Sequence, residues 1–356
     1  MRKFIFHAFL LSSILLFTSI MTTESNAMPM FAKRIGRDCS YCHVAFPKLN
    51  ETGRIFKANG FRFAEEEEWE DIKDMGALPL AMEIEVEGEF NRTKSAGVTT
   101  EESDMKVEEV EIMGAAALGK DGKVSVLGVV GVEDGSAFAH GYIQINDLYG
   151  PRGEGLLNLK TGEYEVALPF LANSDRIIKN GYFAEKTLDV FSTDQLTVEL
   201  NGSKVGEEET SEATHRYAVG ITREDVNSDN KFKGFFASYS VTYWEKYNVG
   251  AIYRRGEEMD GMGGDRSTSR YGLAGEAEYG PVLFTLGLFR AERSGLEDLD
   301  NILLEGLWFP LEDLILGARV DILMEDGSKD ALALSLTARY NILINVFAQV
   351  ELRTLE

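Results

Sequence analysis

The sequence contains few of the residues on which most metal sites and hydrolytic sites depend. Of its 356 residues, 2 are cysteine and 4 are histidine, which excludes a disulfide framework and a histidine-rich metal cluster. His140 and His215 have no nucleophile motif beside them, and the Gly-x-Gly fragments lack the strand–turn–helix context of a nucleotide-binding loop. The sequence therefore does not indicate a hydrolase or a group-transfer enzyme.

Basic residues are in the minority. The chain has 36 lysine and arginine residues against 59 aspartate and glutamate residues, and its formal net charge is −23. Nucleic acid is excluded as a partner, because phosphates require a basic surface. The acidic excess suits cations, although solvation of loops explains it equally simply.

The chain also lacks a long apolar run after residue 27. A membrane-spanning helix needs about 20 apolar residues, and the mature sequence has no such stretch. Before that point, Arg2 and Lys3 precede an apolar run over 4–21, and a polar stretch ends at Ala27. This order is typical of a signal peptide. We expect 1–27 to be removed on export, and an uncleaved membrane anchor is the alternative.

The two cysteines lie together in the pentapeptide Cys39-Ser-Tyr-Cys42-His43. C-x-x-C-H is the attachment signature of c-type haem, in which each thiol adds to one vinyl group and the histidine binds the iron. The motif predicts one covalent haem c held by Cys39 and Cys42, with His43 as the axial iron ligand. The alternatives are a redox dithiol, which lacks its βαβ context, and a zinc site, which lacks a fourth ligand nearby.

The second axial ligand of the iron is left open by the sequence. A methionine would raise the haem potential, although methionine also serves as gap-filling core. The methionines near the motif are Met28, Met30, Met75 and Met82. The phenylalanines that could cover a haem, or form any small core, are Phe31, Phe46, Phe56 and Phe61.

The flanks of the motif resemble the haem segment of the bacterial fused monohaem cytochrome c–porin family, outer-membrane cytochromes that include iron oxidases. The resemblance covers residues 29–63 closely. The matching residues are Phe31, Ala32, Gly36, Phe46, Pro47, Leu49, Asn50, Gly53, Phe56, Asn59 and Gly60, while Phe61 stands where tyrosine is usual. The resemblance implies haem on Cys39, Cys42 and His43. It does not fix the substrate, because this segment occurs on barrels of differing function.

From residue 80 onward, apolar and polar residues alternate with a period of two, which predicts half-buried strands. In the first strand the apolar residues Ile84, Val86 and Phe90 oppose Glu83, Glu85, Glu87 and Glu89. Strands of about 9–12 residues are typical of an outer-membrane barrel when short turns, such as the one expected at Tyr340–Asn341, alternate with long loops, such as the one expected over 91–105. The aromatic residues expected to form interfacial girdles are Tyr243, Trp244, Tyr247, Tyr253, Tyr279, Trp308 and Phe309.

These patterns predict an all-β fold: a transmembrane antiparallel β-barrel over 76–356, preceded by a small, mainly α c-type haem domain over 28–75. We expect about sixteen strands, because bacterial barrels prefer even numbers. That number conflicts with a last strand that runs outward, so a strand between about 163 and 230 is in question. The acidic stretch 65–74 is either a linker or a helix surface, and a soluble β-sandwich is the alternative fold.

The predicted function is electron transfer at the outer membrane of a Gram-negative bacterium. The haem would exchange electrons with a periplasmic carrier and with an extracellular donor or acceptor, for which the resemblance suggests Fe(II). The barrel would contact outer-membrane lipid, and its inward acids would guide a metal ion, orient the haem domain or only hydrate the lumen. The alternatives are a porin or uptake channel with a haem-bearing plug or sensor domain, and a soluble periplasmic monohaem cytochrome.

Overall fold

The computed structural model describes residues 31, 35–63, 80–95, 98–119, 121–206, 213–223, 232–259, 265–325, 327, 330–343 and 346–355. The predicted signal peptide, the acidic stretch 65–74 and three of the candidate methionines (Met28, Met30 and Met75) lie outside these residues. Within the described ranges, every helix is too short or too polar to span a bilayer.

A small N-terminal unit precedes the main sheet. A 3₁₀ turn (Cys39–Tyr41) leads into a ribbon of two short antiparallel strands, β1 (His43–Ala45) and β2 (Lys48–Leu49), and then into helix α1 (Glu51–Ala58). The side chain of Asn50 caps α1 by accepting a hydrogen bond from the Gly53 N–H. The described part of this unit thus contains one short helix and a ribbon, and a mainly α haem domain is not shown.

Fifteen further strands form one antiparallel sheet in which each strand pairs with the next along the chain. They are β3 (Leu80–Ser95), β4 (Val98–Leu118), β5 (Val124–Glu133), β6 (Ser136–Tyr149), β7 (Leu157–Val166), β8 (Ser192–Val205), β9 (Ala213–Arg223), β10 (Phe232–Tyr243), β11 (Tyr247–Met259), β12 (Asp265–Tyr279), β13 (Val282–Arg293), β14 (Leu299–Leu311), β15 (Leu314–Glu325), β16 (Ala331–Leu343) and β17 (Val346–Leu355). A second 3₁₀ turn (Asn173–Asp175) and helix α2 (Phe183–Lys186) lie between β7 and β8.

The sheet curls until its two edge strands approach each other. The Lys179 ammonium lies 2.9 Å from the Glu85 carboxylate on β3, and the Lys179 backbone N–H donates to Glu351 on β17 at 2.6 Å. One residue between β7 and β8 therefore reaches both edges. Because the sheet has an odd number of antiparallel strands, its first strand β3 and its last strand β17 run in the same direction. This agrees with the sequence analysis, in which the last strand runs outward.

The predicted number of sixteen strands is not what the described residues show, and the difference arises in the questioned region. Residues 167–191, between β7 and β8, turn into the barrel lumen instead of adding a strand. Leu168, Ile177, Ile178 and Val190 in this segment are 0% exposed. Their apolar surface is buried inside the barrel. A strand in the wall would instead have turned half of these side chains to the outer face of the barrel.

The two faces of the sheet confirm the predicted alternation, with the polar face inward. Outward apolar side chains stay exposed, such as Ile84 at 57% and Leu336 at 57%, whereas the inward Arg254, Arg270 and Arg339 are at most 2% exposed. A soluble sandwich buries its apolar face and exposes its polar one. The observed arrangement suits a lipid-facing barrel, and the β-sandwich prediction is wrong.

The strand ends agree with the sequence in most places. The exposed aromatic residues Tyr243, Trp244 and Tyr247 cluster around the short β10–β11 turn, with ring centroids 5.9–6.1 Å apart, as a girdle requires. Two predicted connections are wrong. Residues 91–95 and 98–105 continue the β3–β4 ladder instead of forming a long loop, and the predicted turn at Tyr340–Asn341 lies within β16.

If the outer face of the sheet contacts lipid, the free-energy cost of placing a charged side chain there depends on its depth in the bilayer. Leu304, in the middle of β14, is 48% exposed on the outer face. We expect Leu304→Arg to destabilise the folded barrel in lipid vesicles by about 2–4 kcal/mol, against about 0–1 kcal/mol for Tyr279→Arg at a strand end. Urea unfolding of the two variants measures the difference. Equal costs at both positions would contradict a bilayer around β14.

Candidate functional site

The N-terminal unit, residues 35–63, is seated inside the barrel, and we call it the lumen plug. Its main anchor is Glu276 on the inner face of β12. The Glu276 carboxylate lies 2.7 Å from the Lys48 ammonium and 2.7 Å from the Arg54 guanidinium, and all three side chains are at most 6% exposed. The attraction between the buried carboxylate and its two cations offsets part of the free energy that it costs to remove all three charges from water.

Two further ion pairs fix the plug from other sides. The Arg62 guanidinium contacts the Asp147 carboxylate of β6 at 2.7 Å, and both side chains are 0% exposed. Glu51 accepts a hydrogen bond from Arg216 of β9. These anchors lie on strands three apart in the sheet, so the plug extends across the lumen from β6 to β12.

The segment 167–191, which we call the inward segment, packs against the plug. Lys48 donates to the Phe170 carbonyl at 2.8 Å, and the Leu49 N–H donates to Asp175 at 2.5 Å. The inward segment is held in turn by the wall. Arg270 of β12 lies 3.0 Å from Asp189, and Gln349 of β17 donates to the Ile177 carbonyl at 2.8 Å. Two layers of chain therefore cross the lumen.

The C-x-x-C-H motif lies in the plug, at its first turn. The Cys42 N–H donates to the Cys39 carbonyl at 3.1 Å, which closes the 3₁₀ turn. Both thiols are free and half-buried. Burial raises the pKa of both, with the Asp38 charge adding to the rise at Cys39. At neutral pH both sulfurs therefore carry their protons.

His43 is held in the tautomer that a metal-binding histidine needs. Its Nδ1 lies 3.1 Å from the Pro47 carbonyl oxygen, which can only accept, so Nδ1 carries the proton. Burial lowers the pKa of His43 and keeps the ring neutral. The lone pair on Nε2 is then the one available to a metal. A ligating histidine characteristically donates its other N–H to a carbonyl in this way, so the motif fits a c-type haem.

Aromatic rings form a continuous cluster beside the motif. Phe31 lies 5.0 Å from Phe56 and 5.0 Å from Phe61, and Phe63 lies 4.7 Å from Phe56. Phe61 stacks on Tyr142 of the barrel wall at 6.4 Å. Phe46 lies apart from this cluster, 5.5 Å from the His43 ring. The four phenylalanines singled out in the sequence are therefore near the motif or near one another.

The structure narrows the search for a second iron ligand. Met82 is 66% exposed on the outer face of β3, on the far side of the wall from the plug, so it is wrong as a candidate. His215 also leaves the lumen face, since its Nδ1 hydrogen-bonds the Tyr239 hydroxyl at an exposed position. The candidates Met28, Met30 and Met75 lie outside the described residues.

The inward acids of β3 face other acids. The β3–β4 register places Glu83 opposite Glu111 and Glu85 opposite Glu109. Lys179 of the inward segment is the cation bound to Glu85. In the part of the chain that the structure describes, no group of three or more histidine, cysteine, aspartate or glutamate side chains is arranged to hold a metal ion. The acidic wall is thus not a built metal site there.

The anchors of the plug were missed by reasoning from sequence alone. Glu276 lies on the polar face of its strand, but its partner Arg54 is 222 residues away in the chain. Asp147 and Arg216 carried no motif at all. The sequence offered only a general signal: a charged side chain that is buried on the inner face of a strand needs a partner of opposite charge.

Comparison with known proteins bears on the barrel. No protein-family description matches the sequence, and no curated protein does. Three solved porin-type structures are similar. They are an anion-selective porin from Comamonas acidovorans (TM-score 0.52, 9% identity, 77% of this chain and 89% of that one), in-vitro folded OmpT of Vibrio cholerae (0.54, 12%, 78% and 85%) and the outer membrane channel DcaP of Acinetobacter baumannii (0.51, 11%, 77% and 91%). At these identities the similarity establishes a porin-like fold.

Proposed function

We propose that this chain is an outer-membrane electron-transfer protein in which a porin-like barrel holds one covalent haem c on its lumen plug. The observation that carries the proposal is the geometry of His43. Its Nδ1–H is bound to the Pro47 carbonyl, and it follows Cys42, one of two free cysteines, directly in the chain. Export by the predicted signal peptide and the apolar outer face of the sheet support the outer membrane of a Gram-negative bacterium as its location.

Each residue of the motif has one role. Cys39 and Cys42 would hold the haem through two thioether bonds, each formed by addition of the S–H across a vinyl C=C with no leaving group and no net redox change. His43 would bind the iron through Nε2. The bound haem would supply one-electron chemistry. The plug keeps the motif in place through its ion pairs with Asp147, Arg216 and Glu276.

The position of the plug explains why a barrel would carry such a group. The hydrocarbon core of a bilayer is about 30 Å thick and offers electrons no carrier of its own. A haem on a plug inside the wall would lie within that layer, between an extracellular donor or acceptor and a periplasmic electron carrier. Fe(II) is the extracellular donor suggested by the resemblance of residues 29–63.

A second function is a porin or uptake channel whose plug bears the haem as a sensor or structural group. The porin-like fold favours this alternative, since the solved neighbours include an anion-selective porin and an outer membrane channel. The plug and the inward segment both lie in the lumen and narrow the path of a solute, which supports electron transfer. The two functions differ in whether electrons or solutes cross the barrel.

Addition of Fe(II) to the oxidised protein in liposomes tests the proposal. We expect the absorption bands of reduced haem to appear in rapid-mixing measurements, and to decay when an oxidised periplasmic carrier is supplied. A haem that stays oxidised with Fe(II) yet accepts electrons from the reduced carrier would reverse the direction of flow. A haem that reacts with neither, in a barrel that conducts ions, would replace the proposal with the channel function.

A further inference from the structure

Asn50 hydrogen-bonds the backbone carbonyls of the last three residues of the C-x-x-C turn. Its side-chain Nδ2 lies 3.3 Å from the Ser40 carbonyl and 3.1 Å from the Tyr41 carbonyl. Its backbone N–H donates to the Cys42 carbonyl at 2.9 Å. One asparagine thus binds three successive carbonyls, the last of which belongs to the residue before His43.

The same side chain also holds helix α1 against the turn. The Asn50 Oδ1 accepts the Gly53 N–H at 3.0 Å, which caps the helix. At Gly53 the backbone of α1 passes so close that an added Cβ would lie 2.2 Å from the Cys42 carbonyl oxygen. The helix, the turn and the histidine are therefore locked together at this point, and α1 is itself tied to the wall through Arg54 and Glu276.

We infer that Asn50 is a positioning residue for the haem iron, acting through the two amide hydrogen bonds to Ser40 and Tyr41 that hold both thiols and His43 in fixed relation. This inference rests on the proposed haem function. It assigns Asn50 a role distinct from helix capping, because capping uses Oδ1 and the clamp on the turn uses Nδ2. The two roles can be separated by substitution.

Asn50→Asp separates them, since aspartate caps a helix as well as asparagine does but has no amide to donate. Losing two ordinary hydrogen bonds corresponds to at least a roughly tenfold change in an equilibrium. We expect the relative affinity of His43 for oxidised and reduced iron to change about tenfold. The midpoint potential then shifts by about 59 mV, the one-electron equivalent of a tenfold change, and the iron–histidine stretching band in resonance Raman spectra shifts.

Asn59→Ser is the matched control. Asn59 donates to the Gly153 carbonyl at 3.2 Å and accepts from Ser203 at 3.1 Å, so it ties the plug to the wall without contacting the motif. Purified Asn59→Ser should keep the wild-type potential and Raman band. Asn50→Ser, which retains a capping oxygen, serves as the second clamp variant if the aspartate variant does not assemble.

The outcomes are distinct. A shift in the Asn50 variants alone, or loss of covalent haem from them alone, supports the inference. Wild-type potential and Raman band in Asn50→Asp, or an equal shift in Asn59→Ser, would overturn it while leaving the haem function intact. Wild-type protein that carries no haem would overturn both together.

Discussion

Replacing Glu276 with alanine is expected to open the barrel. The change leaves the Lys48 and Arg54 cations, each at most 6% exposed, without their shared carboxylate. Breaking a buried pair typically costs about 3–5 kcal/mol, and the plug can avoid that cost by leaving its seat. We expect the wild type to be nearly closed in planar lipid bilayers and Glu276→Ala to show long open events, with faster proteolysis of residues 35–63.

Glu278→Ala is the control for this prediction. Glu278 lies two residues further along the inner face of β12, and among the described residues it makes no ion pair with the plug. The control barrel should conduct as little as the wild type. Unchanged conductance and an unchanged proteolysis pattern in Glu276→Ala would show that the ion pairs do not hold the plug in place.

Replacing both cysteines with alanine is expected to abolish covalent haem. Cys39 and Cys42 are the only cysteines in the chain, so no other thioether can form. The barrel should still assemble, because the plug is anchored by Lys48, Arg54 and Arg62 with their wall partners. Intact mass and the haem absorption spectrum of the purified variant measure the loss, and urea unfolding measures the stability that remains.

His43→Ala separates attachment from ligation. We expect this variant to retain the mass of the haem-bearing chain, because both thiols are present, and to lose the spectrum of histidine-bound iron. If Cys39→Ala/Cys42→Ala still carried covalent haem, the assigned anchors would be wrong. If His43→Ala left the iron spectrum unchanged, another residue would be the proximal ligand.

The wall of the barrel could be predicted from the sequence because its physics is local. Lipid on one side and protein on the other impose a period of two on each strand, and Ile84 and Glu85 lie on the opposite faces that this period assigned. The C-x-x-C-H motif was legible for the same reason. Its two thiols and its imidazole lie within five consecutive residues, so the motif can be recognised without knowledge of the fold.

The filling of the lumen could not be predicted, because it depends on contacts between distant residues. Leu168, Phe170 and Leu171 form a short apolar run, which a buried strand would share, and only the finished wall decides that they turn inward. The anchors of the plug join residues 85 to 228 positions apart, from Arg62–Asp147 to Lys48–Glu276. The alternation of polar and apolar residues predicts that Glu276 faces inward, but it does not predict that Arg54 is its partner.

The central claim is that a haem is covalently bound to a plug inside a lipid-embedded barrel, and the intact mass of the mature chain extracted from washed outer membranes tests it most directly. The account predicts the mass of residues 28–356 plus one haem, together with the absorption spectrum of a c-type haem. A mass equal to that of the bare chain, without haem absorption, would contradict it and leave a plugged porin-like barrel without a redox group.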